Sequence, residues 1–289
     1  MSRLALGTVQ FGMAYGIANH VGQVTRQEAN LMLRLAENYG IDTLDTAIAY
    51  GESETCLGEA GIQNFKVVTK LPKIPADCAD VSAWVQRQVA GSCTRLGVSA
   101  LYGLLLHHSE NLLGAQGAEL YQAIQNLKDI GQVEKMGVSI YSPDELDAIG
   151  NRFHLDLVQA PLNIVDRRLI TSGWLQRLSE NGVKVHIRSV FLQGLLLMPQ
   201  ASVPDKFFPW QDLWVQWFDW LSSHDASAAE ACMAFPLSFP EVDRVVIGAV
   251  SLDQLTQINK AANLAQLKDF PDFLCHDEKL INPANWSQL

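Results

Sequence analysis

Short apolar runs alternate with longer amphipathic segments along the whole chain. A short apolar run between turn residues is typical of a buried strand, whereas apolar positions at helical spacing predict a helix with one buried face. Eight runs fit the strand pattern, and we predict strands at residues 4–6, 43–46, 66–70, 101–106, 135–139, 157–160, 184–188 and 245–247.

The amphipathic segments between these runs predict helices, and Thr25 is a candidate N-cap for the first of them. A long irregular stretch follows the seventh strand and extends through Pro209. The predicted helices occupy residues 27–39, 53–59, 81–96, 119–130, 143–149, 169–181, 213–222, 227–235 and 252–264.

The alternation of strands and helices predicts an α/β fold. Such units pair their strands in parallel through right-handed crossovers. An open doubly wound sheet usually shows an early GxGxxG, and none follows the first strand here. We therefore predict a single (β/α)8 TIM barrel that forms one domain over residues 1–289, with no hairpin before Leu4.

Composition and charge narrow the class of partner. The chain has 289 residues, of which 48% are apolar and 18% charged, as in ordinary globular proteins. Its net charge of -10 repels a polyphosphate, so we expect no nucleic-acid partner. A local pocket for a single phosphate group remains compatible with this charge.

The five cysteines are scattered and form no CxxC pair, so we expect buried, unreactive thiols rather than disulfides or a zinc ribbon. The first residues lack the long apolar core of a signal peptide. No window approaches the about 18 uninterrupted apolar residues of a membrane span. We predict a cytoplasmic protein with no membrane partner.

Candidate catalytic residues lie at the ends of predicted strands, where barrels of this kind place their chemistry. The second strand leads into Asp45 and Tyr50, the third ends at Lys70, and the fourth ends at His107. Asp45 and Lys70 must be paired or hydrated, since an isolated charge in an apolar interior is too costly. Pairing with each other is the simplest solution.

These four residue types can form a proton-transfer device. An ammonium group near a tyrosine favours the phenolate, and a carboxylate keeps the lysine charged and in place. A neutral histidine can donate a hydrogen bond to a carbonyl oxygen. Because such a device protonates an oxygen but reduces nothing, we expect a separate hydride donor.

At these residues the sequence resembles the aldo-keto reductase family. The resemblance covers nearly the whole chain and implies reduction of an aldehyde or ketone by NAD(P)H without a metal. By it, Tyr50 is the general acid, Lys70 makes Tyr50 more acidic, Asp45 pairs with Lys70, and His107 positions the carbonyl group. The matching stretches, in family order, are LALGTVQFG, IDTLDTAIAYGESETCLGEA, VVTKLP, LLLHHSE, MGVSIYS, LVQAPLN and VVIGAVSLDQL.

The resemblance also implies a set of cofactor-binding residues. Ser139 and Gln159 match residues that hold the nicotinamide carboxamide, and Arg188 occupies a position where many relatives have an aromatic side chain that stacks on the nicotinamide. The full set is Thr8, Ser139, Gln159, Arg188, Ser189, Leu192, Gln193, Gly194, Gly248, Ala249, Ser251 and Gln254.

The loop after the last strand bears on the choice of dinucleotide. Backbone N–H groups at the helix N-terminus there suit a phosphate. Relatives often carry Lys or Arg at the positions of Gly248 and Gln254, and Asp253 is the nearest carboxylate for ribose hydroxyls. We therefore predict NADP(H) with only a modest preference, and NAD(H) is possible.

Alternative interpretations remain open at the sequence level. Asp45 and Lys70 can be a structural ion pair, Lys70 can serve a Schiff-base lyase, or the barrel can bind a cofactor in a regulatory role. His107 and His108 lack a third spaced ligand, so a zinc site is disfavoured. Tryptophans at positions 210, 214, 217 and 220 lie on one helical stripe and predict core packing.

Overall fold

The predicted barrel is confirmed by a computed structural model, which describes residues 2–264, 267 and 270–289. Eight parallel strands follow one another around a closed barrel, and the last pairs with the first. The strands are β1 Leu4–Gly7, β2 Thr43–Asp45, β3 Lys66–Leu71, β4 Leu101–Leu106, β5 Val133–Ser139, β6 Leu157–Pro161, β7 Lys184–Arg188 and β8 Arg244–Gly248.

Helices occupy the connections, and short 3-10 segments at Leu192–Leu197, Gln200–Ser202 and Asp205–Trp210 occupy most of the long irregular stretch. The predicted helix at 169–181 is two helices, because Gly173 adopts a left-handed conformation with φ of 76°. The helices are α1 Val9–Gly12, α2 Arg26–Asn38, α3 Ser53–Ala60, α4 Val81–Leu96, α5 Gly117–Asp129, α6 Asp144–Ile149, α7 Arg168–Thr171, α8 Trp174–Glu180, α9 Gln211–Ser223, α10 Ala228–Leu237, α11 Leu252–Leu264 and α12 Glu278–Ile281.

The tryptophan stripe of α9 packs into the core, as the spacing predicts. Trp214, Trp217 and Trp220 are buried, and the rings of Trp217 and Trp220 stack at 6.1 Å. Phe273 packs edge-on against Trp217. These contacts tie α9 to the C-terminal segment through apolar surface.

Arg3 lies directly before β1, which is the first strand of the described chain. Its guanidinium donates hydrogen bonds to the backbone carbonyls of Leu237 and Val242. These contacts tie the start of β1 to the end of α10 and to the segment between α10 and β8. Among the described helices, none has the length and apolar character needed to cross a membrane.

A buried carboxylate joins α3, β3 and α4. Glu54 is 2% exposed, and its carboxylate accepts hydrogen bonds from Thr69 Oγ1 at 2.7 Å, Ser92 Oγ at 3.3 Å and Arg95 Nε at 2.8 Å. One turn later, a Cβ on Gly58 would lie 2.0 Å from the carbonyl oxygen of Arg95. The SETCLG stretch therefore docks α3 closely onto α4.

We expect Glu54→Ala to lower the free energy of unfolding by about 2–4 kcal/mol, because the buried hydroxyls of Thr69 and Ser92 and the more exposed guanidinium of Arg95 lose their acceptor. Urea denaturation followed by circular dichroism measures the change. The matched control is Glu59→Ala on the same helix, whose carboxylate pairs with Arg26 at the surface and whose loss should cost less than about 1 kcal/mol. Equal losses in the two variants would contradict the role assigned to Glu54.

A neutral histidine lies inside the barrel. His186 on β7 is 2% exposed and sits in register with Gln159 on β6 and Arg244 on β8. Burial lowers the pKa of His186 to about 4. Its Nδ1 has no hydrogen-bond partner among the described residues, which fits an uncharged ring.

His186 makes the stability of the fold depend on pH. Between pH 6.5 and 4, the unfolded chain binds a proton at this residue and the folded barrel does not, so stability falls as pH falls. We expect wild type to lose about 2 kcal/mol more than His186→Gln between pH 7 and pH 5. Urea denaturation of both proteins at the two pH values measures this, and parallel losses would contradict it.

Candidate active site

Tyr50 is held at the mouth of the barrel by two interlocked loops. Its amide donates to the Ala47 carbonyl at 3.0 Å, and its carbonyl accepts from Ser53 N at 3.0 Å. A Cβ on Gly12 would lie 1.7 Å from the Tyr50 carbonyl oxygen. Gly51 has φ of 54°, and its own Cβ would lie 2.5 Å from the Gly12 carbonyl oxygen. Only glycine at both positions permits this approach.

Lys70 and Asp45 form a buried ion pair at the ends of β3 and β2. Lys70 Nζ lies 2.7 Å from Asp45 Oδ1 and donates to the Thr46 carbonyl at 2.8 Å. Both side chains are almost fully buried. Burial alone would lower the pKa of Lys70, but the neighbouring Asp45 and Tyr50 outweigh it and raise the pKa. Lys70 is therefore a charged ammonium group.

The other oxygen of Asp45 connects the pair to the far side of the barrel. Gln159 Nε2 on β6 donates to Asp45 Oδ2 at 2.6 Å. Gln159 Oε1 and Ser139 Oγ meet at 3.5 Å, at the outer limit of a hydrogen bond. Both oxygens thus retain capacity for a polar ligand group such as a carboxamide.

Tyr50 and His107 face each other beside this pair. Lys70 Nζ lies 5.1 Å from the centroid of the Tyr50 ring, and the His107 ring lies 5.7 Å from it in an edge-on orientation. Burial, with the charge of Lys70 and the neighbouring His108, lowers the pKa of His107 to about 4. His107 is thus neutral at pH 7, whereas His108 is exposed and lies 3.3 Å from Glu110.

A cavity of about 620 Å³ opens above these residues and runs towards α11. Asp45, Tyr50 and His107 contribute to its wall, and Lys70 lies behind them. Such a volume is typical of a small-molecule or cofactor site. The predicted cofactor residues on its wall are Thr8, Ser139, Gln159, Arg188, Ser189, Gln193, Gly194, Gly248, Ala249 and Gln254.

Two of the predicted cofactor residues are not on this wall. Leu192 is fully buried, and its backbone amide donates to the Ser189 carbonyl. The Ser251 hydroxyl caps α11 by accepting from Gln254 N at 3.2 Å. Both residues therefore belong to loops that contribute other residues to the cavity wall, and their own polar groups bond within the protein.

Arg188 is engaged by protein groups at the cavity wall. Its guanidinium donates to the Ile140 carbonyl at 2.8 Å and to Ser189 Oγ at 3.1 Å. It also lies 4.5 Å from the centroid of the Tyr141 ring. The guanidinium thus packs against Tyr141, a contact that the sequence does not predict.

Three further residues add polar groups to the wall. Tyr15 and Tyr141 line it, and the Tyr15 hydroxyl accepts a hydrogen bond from Gln193 Nε2 at 3.2 Å. Gln10 Oε1 is buried without a partner in the described part of the chain, so it offers an acceptor to a ligand. Gln10 follows β1 and Tyr141 follows β5 within a few residues, so extending the strand-end criterion past these two strands would have found both, whereas Tyr15 lies beyond α1.

The polar groups on the cavity wall fit a nicotinamide dinucleotide. Ser139 and Gln159, whose oxygens share one long hydrogen bond, and Gln10, whose Oε1 has no partner among the described residues, line the same continuous cavity as Tyr50. Searching the described residues finds no group of three or more His, Cys, Asp or Glu side chains arranged to hold a metal ion.

Comparison with known proteins identifies a family match and two relatives that cover most of the chain. The model of the Aldo/keto reductase family matches residues 3–270. The uncharacterized oxidoreductase YqkF of Bacillus subtilis is 26% identical over 272 residues, covering 84% of this chain and 85% of that protein. The NADH-specific methylglyoxal reductase of Escherichia coli is 23% identical over 308 residues, covering 91% of this chain and 90% of that protein.

A solved structure shows the same fold. The aldo-keto reductase AKR11C1 from Bacillus halodurans superimposes with a TM-score of 0.71 at 20% identity, over 94% of this chain and 90% of that one. The family match spans nearly all of the barrel, from β1 to beyond α11. The chain therefore belongs to the aldo/keto reductase family.

Proposed function

We propose that Tyr50 donates the proton in the NAD(P)H-dependent reduction of an aldehyde or ketone that this aldo/keto reductase carries out. The observation that supports this role is the charged Lys70, buried between Asp45 and the Tyr50 ring directly beneath the cavity. A fixed ammonium group there stabilises the phenolate that forms when Tyr50 gives up its proton.

Each of the other residues has a distinct part in the proposed reaction. A reduced nicotinamide held beside Ser139 and Gln159 would supply the hydride to the carbonyl carbon. Neutral His107 donates a hydrogen bond to the carbonyl oxygen and holds it near the Tyr50 hydroxyl, which protonates it. Asp45 holds Lys70 in place, and the open cavity lets Tyr50 regain a proton from water.

The Schiff-base alternative fits the geometry poorly. A lysine that attacks a carbonyl must be neutral, whereas Lys70 has a raised pKa and is held by Asp45 and the Thr46 carbonyl. Borohydride trapping with a carbonyl substrate separates the two reactions, since only a Schiff base is trapped covalently. Oxidation of reduced cofactor in an aldehyde screen separates catalysis from a purely regulatory role.

The finer features of the proposal concern cofactor, substrate and location. The sequence predicts NADPH with a modest preference over NADH, but the Escherichia coli relative is named for NADH and methylglyoxal. A first screen should therefore pair both reduced cofactors with small oxo-aldehydes, ketones and keto-sugars. We also propose one domain over residues 1–289 and a reducing cytoplasmic location, which the unpaired state of all five cysteines supports.

Tyr50→Phe tests the proton donor. We expect kcat to fall by about 10²–10⁴-fold, because the ring keeps its packing but has no proton to give. Cofactor affinity, measured by quenching of tryptophan fluorescence, should remain within about threefold of wild type, since only a hydroxyl is lost. An undiminished kcat would remove Tyr50 from the mechanism.

Lys70 and Asp45 should act as one unit with Tyr50. We expect Lys70→Met to abolish most activity, and Asp45→Asn to have a milder effect because Lys70 retains its charge and its contact with Thr46. The double variant should lose little more than Lys70→Met alone, since Asp45 acts through the lysine. Measured kcat values for all four proteins test this, and simple additivity of the two losses would exclude the coupling.

A further inference from the structure

The far end of the cavity determines which dinucleotide is bound, and this inference rests on the proposed function. The same cavity that exposes Tyr50 and His107 continues to Val250, Gln254 and Gln257 at the start of α11. A dinucleotide with its nicotinamide near Tyr50 has its adenosine half to place along this continuation. NADP(H) differs from NAD(H) there by one phosphate group on the ribose 2′-oxygen.

Three backbone N–H groups at this helix start, those of Val250, Leu252 and Gln254, already donate to protein acceptors. Val250 N donates to Gln254 Oε1 at 3.0 Å, and Leu252 N donates to Glu28 Oε1 at 2.9 Å. Gln254 N is capped by Ser251 Oγ. Anion binding at a helix N-terminus depends on free N–H groups, so a phosphate that bound to these three groups would have to displace their acceptors.

Glu28 is held at α11 rather than on its own helix. The spacing of Thr25 and Glu28 fits a capping box, and Thr25 Oγ1 indeed accepts from Glu28 N at 3.2 Å. The Glu28 carboxylate, however, crosses to Leu252 N on the neighbouring helix. The Tyr39 hydroxyl also bonds Thr256 across the same pair of helices. A negative charge is thus fixed at the start of α11.

Within the described part of the chain, no Lys or Arg on the cavity wall lies beside the Glu28 carboxylate to neutralise its charge. Among the described residues of the cavity wall, Arg188 is the only Lys or Arg, and it lies at the Tyr50 end beside Ile140 and Ser189. Arg26, on the first turn of α2, pairs with Glu59. A 2′-phosphate, which carries up to two negative charges, would therefore meet a carboxylate that no described cation of the cavity wall compensates.

We infer that Glu28 excludes the 2′-phosphate and makes NADH the preferred cofactor. The carboxylate repels a phosphate but tolerates a neutral ribose hydroxyl, so the effect falls on NADPH. This order of affinity is opposite to the one that the sequence predicts, because the sequence gives no sign that a residue in α2 reaches the loop after β8.

Equilibrium titration of the full chain with NADH and NADPH tests the inference without catalysis. We expect wild type to bind NADH at least about tenfold more tightly than NADPH. Glu28→Gln should reduce this ratio by about tenfold, mainly through tighter NADPH binding, because it removes the charge and keeps an acceptor for Leu252 N. Adding Gln254→Arg should reduce the ratio further by supplying a cation.

Glu37→Gln is the matched control, since Glu37 is an exposed residue of the same helix that contacts Asn64. It removes the same charge and should leave the ratio unchanged. Tighter binding of NADPH by wild type, or an equal ratio in Glu28→Gln and Glu37→Gln, would overturn the inference and leave carbonyl reduction standing. Failure of wild type to bind either dinucleotide would overturn both proposals.

Discussion

The charge of Lys70 is the constraint around which the barrel interior is organised. An ammonium group that is 1% exposed persists only with a carboxylate beside it, and Asp45 provides one within the same mouth of the barrel. The second oxygen of Asp45 then accepts from Gln159, so one carboxylate links β2, β3 and β6. Tyr50 lies beside that fixed charge and His107 lies beside Tyr50, so the cavity above them is lined at its base by groups that can exchange protons.

Much of this arrangement was predictable from the sequence. Strand and helix periodicities indicated all eight βα units, and parallel strands of a barrel necessarily end at one mouth. Asp45, Lys70 and His107 could therefore be brought together from residues distant in sequence. The pairing of Asp45 with Lys70 followed from the cost of isolated buried charge, and the structure shows that pair directly. The helix break at Gly173 was also visible in principle, since glycine commonly ends helices.

Sequence periodicity does not predict side-chain contacts between separate helices and strands. Glu54 resembles an ordinary residue of a first helical turn until α4 supplies Ser92 and Arg95. Glu28 has the spacing of a local cap, yet its partner is Leu252, 224 positions along the chain. His186 lies in a strand whose pattern shows burial but not the missing partner of its ring nitrogen. In each case the outcome depends on how two helices or strands pack, which local preference does not determine.

The interlock of Gly12 with the backbone of Tyr50 has a consequence for redesign of the substrate range. The loop after β1 contributes Tyr15 to the cavity wall, and the loop after β2 carries Tyr50, so they resemble separate modules. Their backbones nonetheless meet at Gly12 and Gly51 without room for a side chain on either residue. Loop grafts from other barrels must therefore exchange both segments together and retain both glycines. Replacing only one segment would disturb this backbone contact and displace the Tyr50 hydroxyl.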